Sequence, residues 1–134
     1  MSGAVARLAA AIDYPEAVPD EATAFFFVVD GRPLRAVEEA GRLTLRAVVV
    51  ASPEEEALER FAGYAVGRLL KESAVLAWDP EEEALILWQG IPATAVGGVL
   101  RRFFEVFATS LDWWVARMRD QDEFSTIPQM VIRP

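Results

Sequence analysis

The chain has 134 residues, with 13 lysines and arginines against 21 aspartates and glutamates, and neither histidine nor cysteine. That length suits one domain that buries a core without disulfide or metal staples, while the net charge of −8 opposes nucleic acid and anionic membrane surfaces. Without cysteine there are no disulfides, thiolate nucleophiles or thiolate metal sites, and without histidine the commonest general base is missing, as fits a cytoplasmic protein that is not an enzyme.

In chain order, Val5, Leu8, Ala9 and Ile12 fall at helical spacing, so Ser2 to Asp13 reads as a first helix ending before Pro15. It lacks the charged start and cleavage site of a signal peptide. Tyr14 to Glu21 is connecting loop. Ala24 to Val29 reads as a strand ending at Asp30-Gly31, a hairpin turn; Leu34 to Glu38 returns; and Arg42 to Ala51 follows the turn Glu39-Ala40-Gly41. These three strands make an antiparallel meander. Ser52-Pro53-Glu54-Glu55 is a helix start, with Ser52 as N-cap and Pro53 at the first helical position, and the helix runs to about Lys71. Its apolar residues occupy two nearly opposite faces, one carrying Gly63, Val66, Gly67 and Leu70.

Ala74 to Trp78 and Ala84 to Gln89 read as a second hairpin around the acidic turn Asp79-Pro80-Glu81-Glu82-Glu83. Pairing Trp78 with Ala84 would put Leu76 opposite Ile86 and Ala74 opposite Trp88, and the lack of polar alternation implies a sheet interior covered on both sides. The final helix, Val96 to Met118, spreads its apolar residues over roughly 200°, against the ~100° stripe of a helix with one side to bury. Part of that arc belongs on the sheet and the surplus needs another partner. Asp120 to Pro134 is a loosely attached tail outside the domain of residues 1–119, and Gln129 to Ile132 could add an edge strand.

No catalytic constellation assembles. Glu81-Glu82-Glu83 lacks the alternating oxygens and glycine of a calcium loop, Gly97-Gly98 lacks the rest of a phosphate-binding motif, and Ser52, Ser73 and Ser110 have no histidine partner. No metal site and no cofactor are expected. Gly63-x-x-x-Gly67 permits close approach of another backbone, and Trp78, Trp88, Trp113 and Trp114 have the chemistry of interface anchors.

The order helix, three-stranded meander, capped helix, acidic-turn hairpin and long helix resembles the class I chaperones of type III secretion. Phe25 to Gly31 followed by Arg42 to Val50 is similar to that family's first strands. Leu76-Ala77-Trp78-Asp79-Pro80-Glu81 with Ala84-Leu85-Ile86-Leu87 resembles its L-x-x-D-P-x…L-x-L hairpin, and Ile91-Pro92 before a helix ending Leu111-Asp112-Trp113-Trp114 resembles its closing segment. The likeness covers residues 2 to 118. It implies an α+β fold and a non-enzymatic bacterial homodimer that holds an extended N-terminal segment of a secreted effector, export-competent. The implied dimer interface takes Gly63, Val66, Gly67, Leu70, Trp78 and Trp88. The residues expected to meet the client are Val5, Leu8 and Ile12 of the first helix and Phe25, Phe27, Leu43 and Leu45 of the meander. YbjN-like regulatory domains share a similar fold, with a folded protein as partner, and are the alternative.

Overall fold

Two tight turns organise the first half of the molecule. Asp30 and Gly31 have φ of 53° and 76°, and Ala40 and Gly41 have φ of 52° and 75°. Paired left-handed residues make the two-residue turn whose twist matches that of the strands it joins. The computed structural model, which describes residues 3–51 and 74–132, contains α1 (Ala4–Ala11), β1 (Ala24–Val29), β2 (Arg32–Glu39), β3 (Arg42–Ala51), β4 (Val75–Asp79), β5 (Ala84–Pro92) and α2 (Gly97–Ile132). The architecture is α+β: the strands form one antiparallel sheet in the order β1-β2-β3-β5-β4. The middle helix expected from Ser52 to Lys71 lies outside the described residues.

Cross-strand partners share a sheet face, so the register sorts the strands' side chains. Phe25, Phe27, Leu34, Ala36, Leu43, Leu45, Leu87 and Ile91 fall on one face and join Val5 and Leu8 of α1 and Leu100, Phe104, Phe107, Leu111 and Trp114 of α2 in a single apolar cluster. The helix positions 100, 104, 107, 111 and 114 follow the three-and-four spacing of one helical face. Both described helices therefore cover the same side of the sheet, here called the inner face.

Polar contacts fix the ends of this layer. Glu38 of β2 turns its carboxylate to α1, where Oε1 accepts the Ala4 N–H at 2.9 Å, a cap that Gly3 has no side chain to supply. Arg7 donates to the Ala93 carbonyl, and Arg32 pairs with Asp112 of α2. No helix among the described residues is long and apolar enough to cross a membrane.

Two expectations change. In the second hairpin the observed partners are Asp79 with Ala84, Trp78 with Leu85, Leu76 with Leu87 and Val75 with Trp88, one residue from the expected register. Asp79 joins the strand because Arg46 of β3 grips its carboxylate, and the turn contracts to Pro80–Glu83. The hairpin is also not wholly interior: β5 lies between two strands, whereas β4 is an edge. At the other end of the chain, the stretch expected as an edge strand, 129–132, is helix, because α2 continues to Ile132.

Candidate protein-interaction surfaces

The seven residues expected to meet a client point inward. Val5, Leu8, Phe27, Leu43 and Leu45 are fully buried, while Ile12 and Phe25 pack half-buried against the same cluster. They make up the chain's own core, so none of the seven forms an open groove while α1 and α2 are docked. The correction has a plain origin. In β1, Ala24 to Val29 is apolar at every position and gives no parity; in β3, Arg42, Thr44 and Arg46 mark the solvent side and leave Leu43 and Leu45 for the core.

The apolar surface that is open lies elsewhere. Phe26 and Val28, on the outer face of β1, are 67% and 58% exposed, and Val48 joins them from β3. Tyr14 Oη accepts the Val28 N–H at 3.1 Å, and its ring meets Phe25 and Phe27 edge-on with centroids 6.1 and 4.7 Å apart. One backbone group at the free edge of β1 is thereby occupied by a side chain. A second open stripe runs along α2, where Val99, Phe103 and Val106 lie one position before the buried row, about 100° around the helix, with exposed Val96 just ahead of the helix. Val99 and Val106 are exposed, and with Phe103 and Arg102 they line a shallow depression of about 400 Å³. Further along, the Arg117 guanidinium sits 5.0 Å from the Trp113 ring, which is itself edge-on to Trp114.

Of the residues expected at a dimer interface, Gly63, Val66, Gly67 and Leu70 lie outside the described residues. Trp78 is 46% exposed on the edge strand. Trp88 is half-buried on the outer face, its ring beside Gly90, where a Cβ would stand only 3.1 Å from Trp88 Cη2. The observed register puts the two tryptophans on opposite faces, whereas the expected one put them together.

The outer face also carries charge that the sequence reading passed over. Arg35 and Arg46 are direct cross-strand partners, flanked by Phe26 and Trp88 on the next strands. Arg46 is neutralised by Asp79, whose Oδ1 also accepts the Glu81 N–H at 2.9 Å and the Glu82 N–H at 3.4 Å. Burial pushes the Asp79 carboxyl up, but those two backbone donors and the Arg46 guanidinium outweigh it and hold the pKa below the usual carboxylate range. The alternation Arg42-Leu43-Thr44-Leu45-Arg46 was the available sequence signal for this basic face.

No protein-family model matches the chain, and no curated protein matches it. Among solved structures it is similar to a chain in the structure of the HopA1-SchA chaperone-effector complex, with a TM-score of 0.65 over 83% of this chain and 89% of that one at 16% identity. The fold is chaperone-like. A chain in the crystal structure of the ExsC-ExsE complex is similar too, with a TM-score of 0.61 at 20% identity, covering 84% of this chain and 89% of that one. At these identities the likeness is one of fold.

Proposed function

We propose that this protein is a non-enzymatic chaperone of the type III secretion kind, a cytoplasmic homodimer that binds an extended N-terminal segment of a secreted effector and keeps it export-competent. The observation that carries the reading is the fold shared with a chain of a chaperone-effector complex over most of both lengths. Two open apolar surfaces support it, the outer sheet face at Phe26, Val28 and Val48 and the α2 stripe at Val99 and Val106. An extended chain needs such sites for its alternate side chains. These surfaces take the role first given to the buried residues. The proposed dimer interface keeps Gly63, Val66, Gly67 and Leu70 together with Trp78 of the edge strand, while Trp88, on the opposite sheet face, is left out of it.

The test is affinity capture with the tagged protein from its native host, mass spectrometry of what co-elutes, and light scattering of the purified species. One dominant partner, held through a protease-sensitive N-terminal segment by a dimer, is the expected result. A monomer that captures no such partner would overturn the reading.

A further inference from the structure

The outer sheet face concentrates positive charge in a chain whose net charge is −8. Arg35, Arg42 and Arg46, with Glu39, Thr44 and Trp88, line a shallow basin of about 590 Å³. Arg35 and Arg46 stand directly opposite each other on neighbouring strands, a like-charge pairing that disfavours the sheet unless anions compensate it. Asp79 compensates Arg46. Neither Arg35 nor Arg42 makes an ion pair among the described residues, although Glu39 is the cross-strand partner of Arg42 and offsets part of its charge. The Arg35 guanidinium carbon lies 5.6 Å from the Phe26 ring centroid, and its buried Nε makes no hydrogen bond among the described residues. At the other end, the Arg42 stem packs beside Trp88 over Gly90, which lets the Trp88 ring lie close to the strand.

We propose that this face binds a locally acidic polypeptide segment, with carboxylates at Arg42 and Arg35 and an apolar side chain between them. The spacing defines the segment. Arg42 and Arg46 are four strand residues apart, about 13 Å, and Arg35 lies opposite Arg46, so a strand laid along β3 matches them with acids at positions i and i+4. The chain's negative field repels a polyanion, which selects a segment with two acids among apolar residues over nucleic acid. Phe26 and Val48 extend the apolar part of the face. The inference deepens the client-holding reading, on which it rests for the source of the segment.

The probe is an acetylated pentapeptide with glutamate at its ends, threonine second and fourth and leucine in the middle, compared with versions carrying glutamine or lysine at the ends. Titration into the isotope-labelled full-length protein is read by NMR at the arginine Nε–H and Trp88 indole N–H signals. Saturable shifts at Arg35, Arg42 and Trp88 are expected, with the glutamine peptide about tenfold weaker, the worth of two partly exposed ion pairs. The Arg35→Gln/Arg42→Gln protein should lose the difference between the peptides while keeping the wild-type spectrum elsewhere; Arg42→Gln alone, at an exposed strand end, should lose part of it. Equal binding of all three peptides, no saturable shift, or shifts confined to the α2 stripe would overturn the proposal. Should affinity capture yield an effector that the double variant holds as well as wild type does, this inference falls while the client-holding reading stands.

Discussion

Ala40 is the one residue in the two tight turns whose chemistry opposes its conformation. It has φ of 52° at the position that Asp30 fills in the first turn, and a left-handed alanine costs about 1–2 kcal/mol where Asn, Asp or Gly is at ease. Ala40→Asn should therefore stabilise the protein by about 0.5–1 kcal/mol, read as a higher urea midpoint with unchanged slope. A lower midpoint would mean that the turn does not hold this geometry in solution. Asp79 makes an opposite case, a residue whose surroundings favour its charged form. A carboxyl with a depressed folded pKa contributes stability at pH above its unfolded value, near 3.9, and loses it as pH falls through the folded value. Asp79→Asn should thus be less stable than wild type at neutral pH, and the gap should close on acidification below about pH 4. Urea midpoints across that range check it; a gap independent of pH would detach Arg46 from the effect.

At the scale of elements, α2 shows two apolar rows with different energetic roles. Phe107 is fully buried while Val106 beside it is exposed, so Phe107→Ala should cost about 3–5 kcal/mol and Val106→Ser no more than about 0.5. Similar losses from both would place a covering partner over the second row. Gln89 of β5 is fully buried on the inner face, and neither its amide oxygen nor its nitrogen has a hydrogen-bond partner among the described residues. Gln89→Met keeps the shape and removes the desolvation cost, and should raise stability by about 1 kcal/mol in denaturant titrations. A marked loss would show the amide engaged in solution. Part of this layer was legible from residue patterns: Asp30-Gly31 and Ala40-Gly41 give the meander, and the apolar arc of the final helix gives an element with a side on the sheet, without choosing which row is core. The hairpin register was not, because Asp79 belongs to the strand only through Arg46, 33 residues earlier in the chain. Nor were the surfaces legible in β1, where Phe26 and Phe27 are the same residue type and only the cover supplied by α1 and α2 separates them.

At the scale of the whole molecule, a chain that is 53% hydrophobic leaves Phe26, Val28, Val99 and Trp78 all open to solvent. Net charge of −8 resists indiscriminate association, and a second copy can remove part of that surface specifically. The proposed seam runs through Gly63 and Gly67, whose spacing of four would, in the helix expected there from the sequence, put two residues without side chains on one side and admit a neighbouring backbone. An indole there cannot be accommodated by small rotamer changes, because close backbone approach leaves no volume for it. Gly67→Trp should therefore convert the proposed dimer to a monomer or to aggregate, with light scattering giving the mass and circular dichroism the fold. Ala40→Asn, far from the proposed seam in sequence, is the companion variant and should keep the dimeric mass. If Gly67→Trp remains dimeric at wild-type concentration dependence, the seam lies elsewhere, and the exposed α2 row becomes the next surface to substitute, with Val99→Arg and Val106→Arg as the variants that would split a dimer built on it.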